Sequence, residues 1–208
     1  ALDVAIEVAN AQELPLLVYH GLDERYPWAS DRHHRFIMEG SVDLREELEE
    51  RGIPYLFHLA RPGCREPWLI QLAERASLVV TEETPVFFLE EWNSHLQFEV
   101  ETPLWTVDCD CIVPMKVVGK AYDRAYKFRN ATEEERASRV GLAWKRAEYA
   151  GPSSLDELAV YHELGLSDLS FGEGDIAELI AQCEIDHGVG PVFETPGGSK
   201  AGYERWRA

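Results

Sequence analysis

Positive charge is what this sequence has little of. Lys and Arg together number 20 against 38 Asp and Glu, a formal net charge of −18 over 208 residues. Neutralising phosphates takes Lys and Arg, so this balance excludes gripping DNA or an anionic membrane by bulk charge. Cysteine is scarce too. Cys64, Cys109, Cys111 and Cys183 are too few for a disulfide scaffold, and their one close pair is Cys-x-Cys, without the paired spacing of a zinc site. That usage predicts a reducing, cytoplasmic compartment and no metal centre. No apolar run approaches the roughly 18 residues of a membrane span. The opening ALDVAIEVAN carries acids and no positive n-region, which argues against a secretory signal, and its lack of Met points to a trimmed or processed start. No GxGxxG or GxxxxGK[ST] follows any apolar segment, which removes the simplest NAD and ATP readings.

What is present is ordinary globular composition, with 45% hydrophobic and 28% charged residues. A chain of this length buries about 70% of its unfolded surface, enough for a core without staples. Leu2, Ala5, Ile6 and Ala9 give a helical stripe, and Leu14–Tyr19 reads as a buried strand. Ser30 or Asp31 caps a helix through Phe36, Ile37, Val42, Leu44 and Leu48 that stops at Gly52. Ile53–Phe57 is a second strand, and Glu66-Pro67 opens another helix. Leu78–Thr81 is a third strand, Val86–Leu96 a helix behind Pro85, and Leu104–Asp108 a fourth strand. Apolar strands alternating with amphipathic helices predict an α/β, Rossmann-like parallel sheet with helices on both faces, ending near residue 115.

The remainder, 116–208, reads as a helical extension and linker. Lys120–Ala150 is charged and helical, with Thr132 and Glu135 at capping-box spacing at its acid-rich start. Ser154–Leu164, Asp175–Glu184 and Gly202–Arg207 are further helices, and Thr195–Gly202 is a mobile connector rather than a phosphate loop.

Parallel sheets bind ligands beyond the carboxyl ends of their strands. The candidate crevice residues there are Tyr19, His20, Asp108 and Asp110, acids and aromatics suited to a flat polar ring. Asp108 and Asp110 also suit a strand-ending turn, since Asp bonds its own backbone. His33 and His34 read as a solvated first turn, Cys109 and Cys111 as small buried residues, and His187 as a cation at a helix C-terminus. No nucleophile–base pairing stands out, so no catalytic residue is assigned.

The order of three segments resembles a known family. Arg32-His-His-Arg-Phe-Ile-Met-Glu-Gly-Ser-Val-Asp-Leu44, Arg51-Gly-Ile-Pro54 and Val107-Asp-Cys-Asp-Cys-Ile-Val-Pro114 are similar to the amino-terminal domain of the photolyase/cryptochrome family, nearest to the class II cyclobutane-dimer photolyases. Tyr126-Lys-Phe-Arg129 and Pro196–Tyr203 resemble that family's passage toward its flavin domain. Two positions depart: Cys111 stands where the family commonly has Asn, and Asn130-Ala131 replaces its Pro-Lys.

The resemblance implies a DNA-repair flavoprotein, a deoxyribodipyrimidine photo-lyase that splits carbon–carbon bonds. An excited reduced flavin passes an electron to a pyrimidine dimer, and the cyclobutane ring opens. Residues 1–115 would be the antenna and docking domain, holding a deazaflavin or folate pigment. FAD and the dimer pocket would belong to a helical domain absent from this chain, which alone would be inactive; damaged DNA would be met only through the full-length protein. The family's sheet has a central strand before the helix that Ala1 opens. An upstream segment is expected to supply it, unless the first two crossovers close up directly; pairing of 53–59 beside 14–20, with 78–81 a strand-width away, would favour the former. An exposed docking face predicts homo-oligomers. The alternatives are a cryptochrome-like signalling module and an unrelated nucleotide-binding α/β domain of the universal-stress or electron-transfer-flavoprotein type.

Overall fold

A computed structural model describes residues 1–143, 145–169 and 172–208. The chain is α/β, short parallel strand pairs flanked by helices, with a helical part. It forms two compact units. One comprises Ala1–Val8 and Ala73–Glu148, the other Ala9–Leu72 and Tyr149–Ala208. All four expected strands form, and among the described residues they pair two by two.

In the second unit, β1 (Val18–Asp23) lies parallel to β2 (Tyr55–Ala60), with Val18 opposite Tyr55 and Asp23 opposite Ala60. The pairing expected between 14–20 and 53–59 therefore forms, but β1 starts at Val18, because Pro15 cannot donate to a ladder. Every residue of β2 is buried, as an apolar parallel strand requires. Between the strands runs α2 (Asp31–Glu50), which ends as expected at Gly52, whose φ of +63° suits a residue without Cβ. The face of α2 that turns inward overlaps the predicted one only in part, at Leu48, with Ile37, Val42 and Leu44 half-buried. His34, Met38, Ser41 and Leu48 are buried, whereas Phe36 is 53% exposed. After α3 (Trp68–Ala73), which ends at the boundary between the units, the chain returns to this unit at Tyr149. The 3₁₀ turns Leu155–Glu157 and Leu166–Leu169 flank α7 (Ala159–Glu163). Leu158, Tyr161 and Leu166 from this stretch join Leu56 of β2 in one buried cluster, with Leu17, Trp68 and Leu72 packed against it. The extension read from the sequence thus supplies core to the β1–β2 pair.

The same unit carries α8 (Ile176–Ala181) and α9 (Ser199–Arg207). Thr195–Gly202, expected to be a mobile connector, is pinned to α2. The Gly197 N–H donates to Glu39 Oε2 at 2.7 Å and the Lys200 N–H to Asp43 Oδ2 at 2.9 Å, while the Lys200 ammonium pairs with Glu46. Two glycines permit this approach. A Cβ on Gly197 would stand 2.0 Å from the Phe36 carbonyl oxygen, and Gly198 adopts φ +102°.

The other unit pairs β3 (Val79–Glu82) with β4 (Leu104–Val107) in parallel, Val79 opposite Leu104, joined by α4 (Phe87–Glu99). Helix α1 (Leu2–Gln12) crosses into the second unit at Ala9. A short α5 (Met115–Val118) precedes α6 (Ala125–Val140). Thr132 is not the start of a helix: it sits inside α6, and its hydroxyl donates to the Phe128 carbonyl one turn back at 2.9 Å. Trp144, within the stretch read as helical, lies outside the described residues. Among the described residues no helix is long and apolar enough to cross a membrane.

Candidate functional site

In the second unit, the carboxyl ends of β1 and β2 deliver Asp23, Glu24, Arg61 and Arg65 to one place. This is where a parallel sheet offers a crevice, and the chain fills it with its own residues. The Glu24 side chain is 1% exposed. Its Oε1 accepts from Arg65 Nε at 2.8 Å and also from Arg65 Nη2, and its Oε2 accepts from the Glu184 N–H at 2.6 Å. Arg65 Nη2 reaches Glu184 Oε2 at 2.6 Å, and Arg61 Nε donates to Gln182 Oε1 at 3.1 Å. A buried carboxylate survives only when paired and hydrogen-bonded, and Glu24 is both. Residues 182–184 are thereby clamped over the strand ends.

The clamp continues along the chain. The Asp186 N–H donates to the Ala29 carbonyl at 3.0 Å, and the Arg32 N–H to the Val189 carbonyl at 3.1 Å. His187 lies six residues past the end of α8. Its Nδ1 faces Asp31 Oδ1 at 2.7 Å and its Nε2 the Cys183 carbonyl at 3.1 Å. Both partners are acceptors, a setting that favours the doubly protonated ring, and the hydrogen bond to Asp31 first of all raises the imidazole pKa above its usual value. Nearby, burial pushes the Cys183 thiol up to about 11, so it is no nucleophile at neutral pH.

His34 is buried rather than solvated. Its ring stacks on Tyr26 with centroids 5.7 Å apart, burial lowers its pKa, and its Nε2 has no hydrogen-bond partner among the described residues. It faces inward because it shares the i, i+4, i+7 stripe of α2 with Met38 and Ser41.

The His187 contact carries a pH prediction. A folded pKa above the unfolded value near 6.5 gives stability that is complete below about 6.5 and lost as pH rises through the raised value. The stability difference between the native chain and His187→Gln, from urea unfolding, is expected to be largest at about pH 5 and to shrink as pH rises through the raised imidazole pKa. A difference that grows with pH would contradict the doubly protonated ring.

The four predicted crevice residues divide between the units. Tyr19 and His20 lie on β1, and as neighbours on a strand they point to opposite faces. Tyr19 Oη pairs with His58 Nδ1 at 2.9 Å; His58 Nε2 meets the Cys64 carbonyl at 3.1 Å, so Nε2 carries the proton and the Tyr19 hydroxyl donates. His20 Nδ1 pairs with the Tyr55 hydroxyl at 2.8 Å. Burial raises the Tyr19 and Tyr55 pKa values and lowers that of His20, so all three are neutral at pH 7.

Asp108 and Asp110 follow β4 in the other unit. Asp108 ends the strand as a turn-former. Oδ2 accepts from the Met115 N–H at 2.9 Å, and Oδ1 from the N–H groups of Cys111 at 2.9 Å and Asp110 at 3.2 Å. These bonds, the one from Met115 foremost, lower its pKa. Asp110 and Cys109 are exposed, so Cys109 is not the small buried residue expected; it lies at the tip of the turn that Asp108 organises. Beside this turn is a cavity of about 290 Å³ lined by Cys111, Val113, Met115, Val118, Lys120 and Phe128. No cluster of His, Cys, Asp or Glu able to hold a metal exists among the described residues.

Sequence reasoning placed Arg61 at a strand end but missed Glu24, Arg65 and Glu184. The signal for Glu24 and Arg65 was position alone, charged residues after two apolar strands; Glu184 follows α8 and had none.

No protein-family model matches the chain. It is 35% identical over 116 residues to a deoxyribodipyrimidine photo-lyase of Methanothermobacter thermautotrophicus. The match covers 56% of this chain and 25% of that protein, so the chain spans about a quarter of the curated relative's length.

Proposed function

We propose that this chain is the N-terminal antenna and docking lobe of a class II-like, light-dependent DNA-repair photolyase, its α/β part including core supplied by residues 149–208, and that a helical FAD-binding domain lies elsewhere in the full-length protein. The 35% identity to a deoxyribodipyrimidine photo-lyase carries the reading. Two further observations support it. A net charge of −18 sends DNA contact to another part of the protein. The strand-end crevice of β1 and β2 is closed by the Glu24–Arg65–Glu184 clamp, as befits a brace rather than a catalytic centre.

The antenna pigment, a deazaflavin or folate, belongs to this proposal, but the predicted crevice residues do not fit it. Tyr19 and His20 are engaged with His58 and Tyr55, and three N–H groups occupy the Asp108 carboxylate. A cavity of about 290 Å³ lies at the lower edge of small-molecule pockets, which start at roughly 300 Å³. No step is therefore routed through a pigment at these side chains.

The test is repair of a cyclobutane-dimer oligonucleotide under blue light. The full-length protein is expected to carry flavin absorbance and restore the pyrimidines, and the 208-residue chain alone to do neither. Repair by this chain alone would overturn the docking-lobe reading. A full-length protein that binds flavin but never repairs would be a signalling relative instead.

A further inference from the structure

One face of α4 is built unlike the rest of the surface. From Ala76 to Met115 the sequence contains no Lys or Arg, while Glu82, Glu83, Glu90, Glu91, Glu99 and Glu101 fall within that stretch. The core side of α4 is held by Leu96, 7% exposed. At 3.6 residues per turn, Phe87, Phe88, Glu91, Trp92, Phe98 and Glu99 fall within one arc of about 140°, with the exposed His95 near its middle and Leu96 about 40° beyond its Trp92 edge.

The four aromatics of that arc are open. Phe87 is 73% exposed, Phe88 41%, Trp92 59% and Phe98 86%. Three of them are also ordered against one another. Phe87 and Phe88 meet edge to face at 5.4 Å between centroids, and Phe88 and Trp92 at 5.5 Å. With roughly 150–250 Å² per aromatic side chain, they present on the order of 500 Å² of ring surface. An apolar patch of that size is at the upper range of what a monomer exposes and is often functional. No cation pairs with Glu91 or Glu99 among the described residues.

We propose that this aromatic, acid-lined face of α4 is a docking surface for an arginine-bearing amphipathic segment of a partner protein. Charge decides the kind of occupant. DNA and anionic lipid are repelled by the carboxylates, and a second copy would set acid against acid. Arginine answers both features at once, because its planar guanidinium stacks on ring faces and takes carboxylates two-pronged. Lysine can neutralise the acids but stacks less well. Apolar residues between the arginines would cover Phe87 and Phe98. This surface is independent of the photolyase reading.

The probe is a synthetic amphipathic peptide whose one face alternates arginine and leucine, titrated calorimetrically into the 208-residue chain at low salt. Phe88→Ser/Trp92→Ser is expected to weaken binding about tenfold, and a lysine-for-arginine peptide to bind several-fold more weakly. Glu91→Gln/Glu99→Gln should weaken binding several-fold and flatten its salt dependence. Phe98→Ser, at the most exposed of the rings, repeats the test where folding is least at risk. The peptide exchange needs no variant at all. Binding that ignores both the ring substitutions and the lysine exchange would reduce the site to bulk charge and overturn the proposal. So would sedimentation showing that the chain self-associates through this face in preference to binding the peptide.

Discussion

Glu24→Ala is expected to cost about 2–4 kcal/mol of unfolding free energy, read by urea denaturation followed by circular dichroism. The carboxylate is 1% exposed and holds both Arg65 and the Glu184 N–H. Removing one partner of a buried pair typically costs 3–5 kcal/mol. Here the loss sits toward the lower end, because Arg65 is 38% exposed and can recover water and its bond to Glu184. Arg65→Ala should cost at least as much, since it strands a charge that cannot reach solvent. Glu24→Gln should cost less than either: it keeps an acceptor, but turns an amide N–H toward the guanidinium. In a double-mutant cycle, Glu24→Ala/Arg65→Ala should cost well under the sum of the single changes. Additive losses, or losses under about 0.5 kcal/mol, would mean that the strand ends are not clamped.

The clamp also marks where the sequence stopped being legible. Apolar strands announce themselves, and all four were placed within a few residues. Elements whose cause is local were read well: the stop of α2 at Gly52 and the Asp108 turn each depend on neighbours a few residues away. Elements whose cause is a distant partner were not. Thr195–Gly202 looks like a flexible linker by composition. Its glycines are instead what lets the backbone press onto Phe36, over a hundred and fifty residues earlier, with Glu39 and Asp43 accepting its N–H groups. His34 looked solvated beside Arg32, His33 and Arg35, and the inward stripe that buries it includes a serine and a methionine rather than a row of leucines. Among the predicted site residues, Tyr19 and His20 were expected at the carboxyl end of their strand, but β1 runs on to Asp23 and leaves them near its amino end. The short local strand could not reveal that their polar atoms are taken by His58 and Tyr55 on the paired strand.

The stretch 155–169 carries the same lesson into energetics, and Leu166 tests it. Leu166 is fully buried, against Leu56 of β2, Leu158 and Tyr161. Its segment is broken into short turns, so no periodic stripe advertises it as core. Truncation should leave a cavity that the surrounding rings and leucines fill only in part, because they belong to separate elements fixed by their own contacts. Leu166→Ala is therefore expected to cost about 3–4 kcal/mol, while Leu14→Ala, at a position 39% exposed in the same unit, should cost about 0.5 kcal/mol or less. The two changes delete the same atoms, so the difference between them isolates burial. A Leu166→Ala loss under about 1 kcal/mol would mean that β2 keeps its packing without this segment. The expected larger loss would mean that the β1–β2 pair, which bears Tyr19 and His20 and leads into Glu24, depends for its stability on chain that lies beyond residue 150.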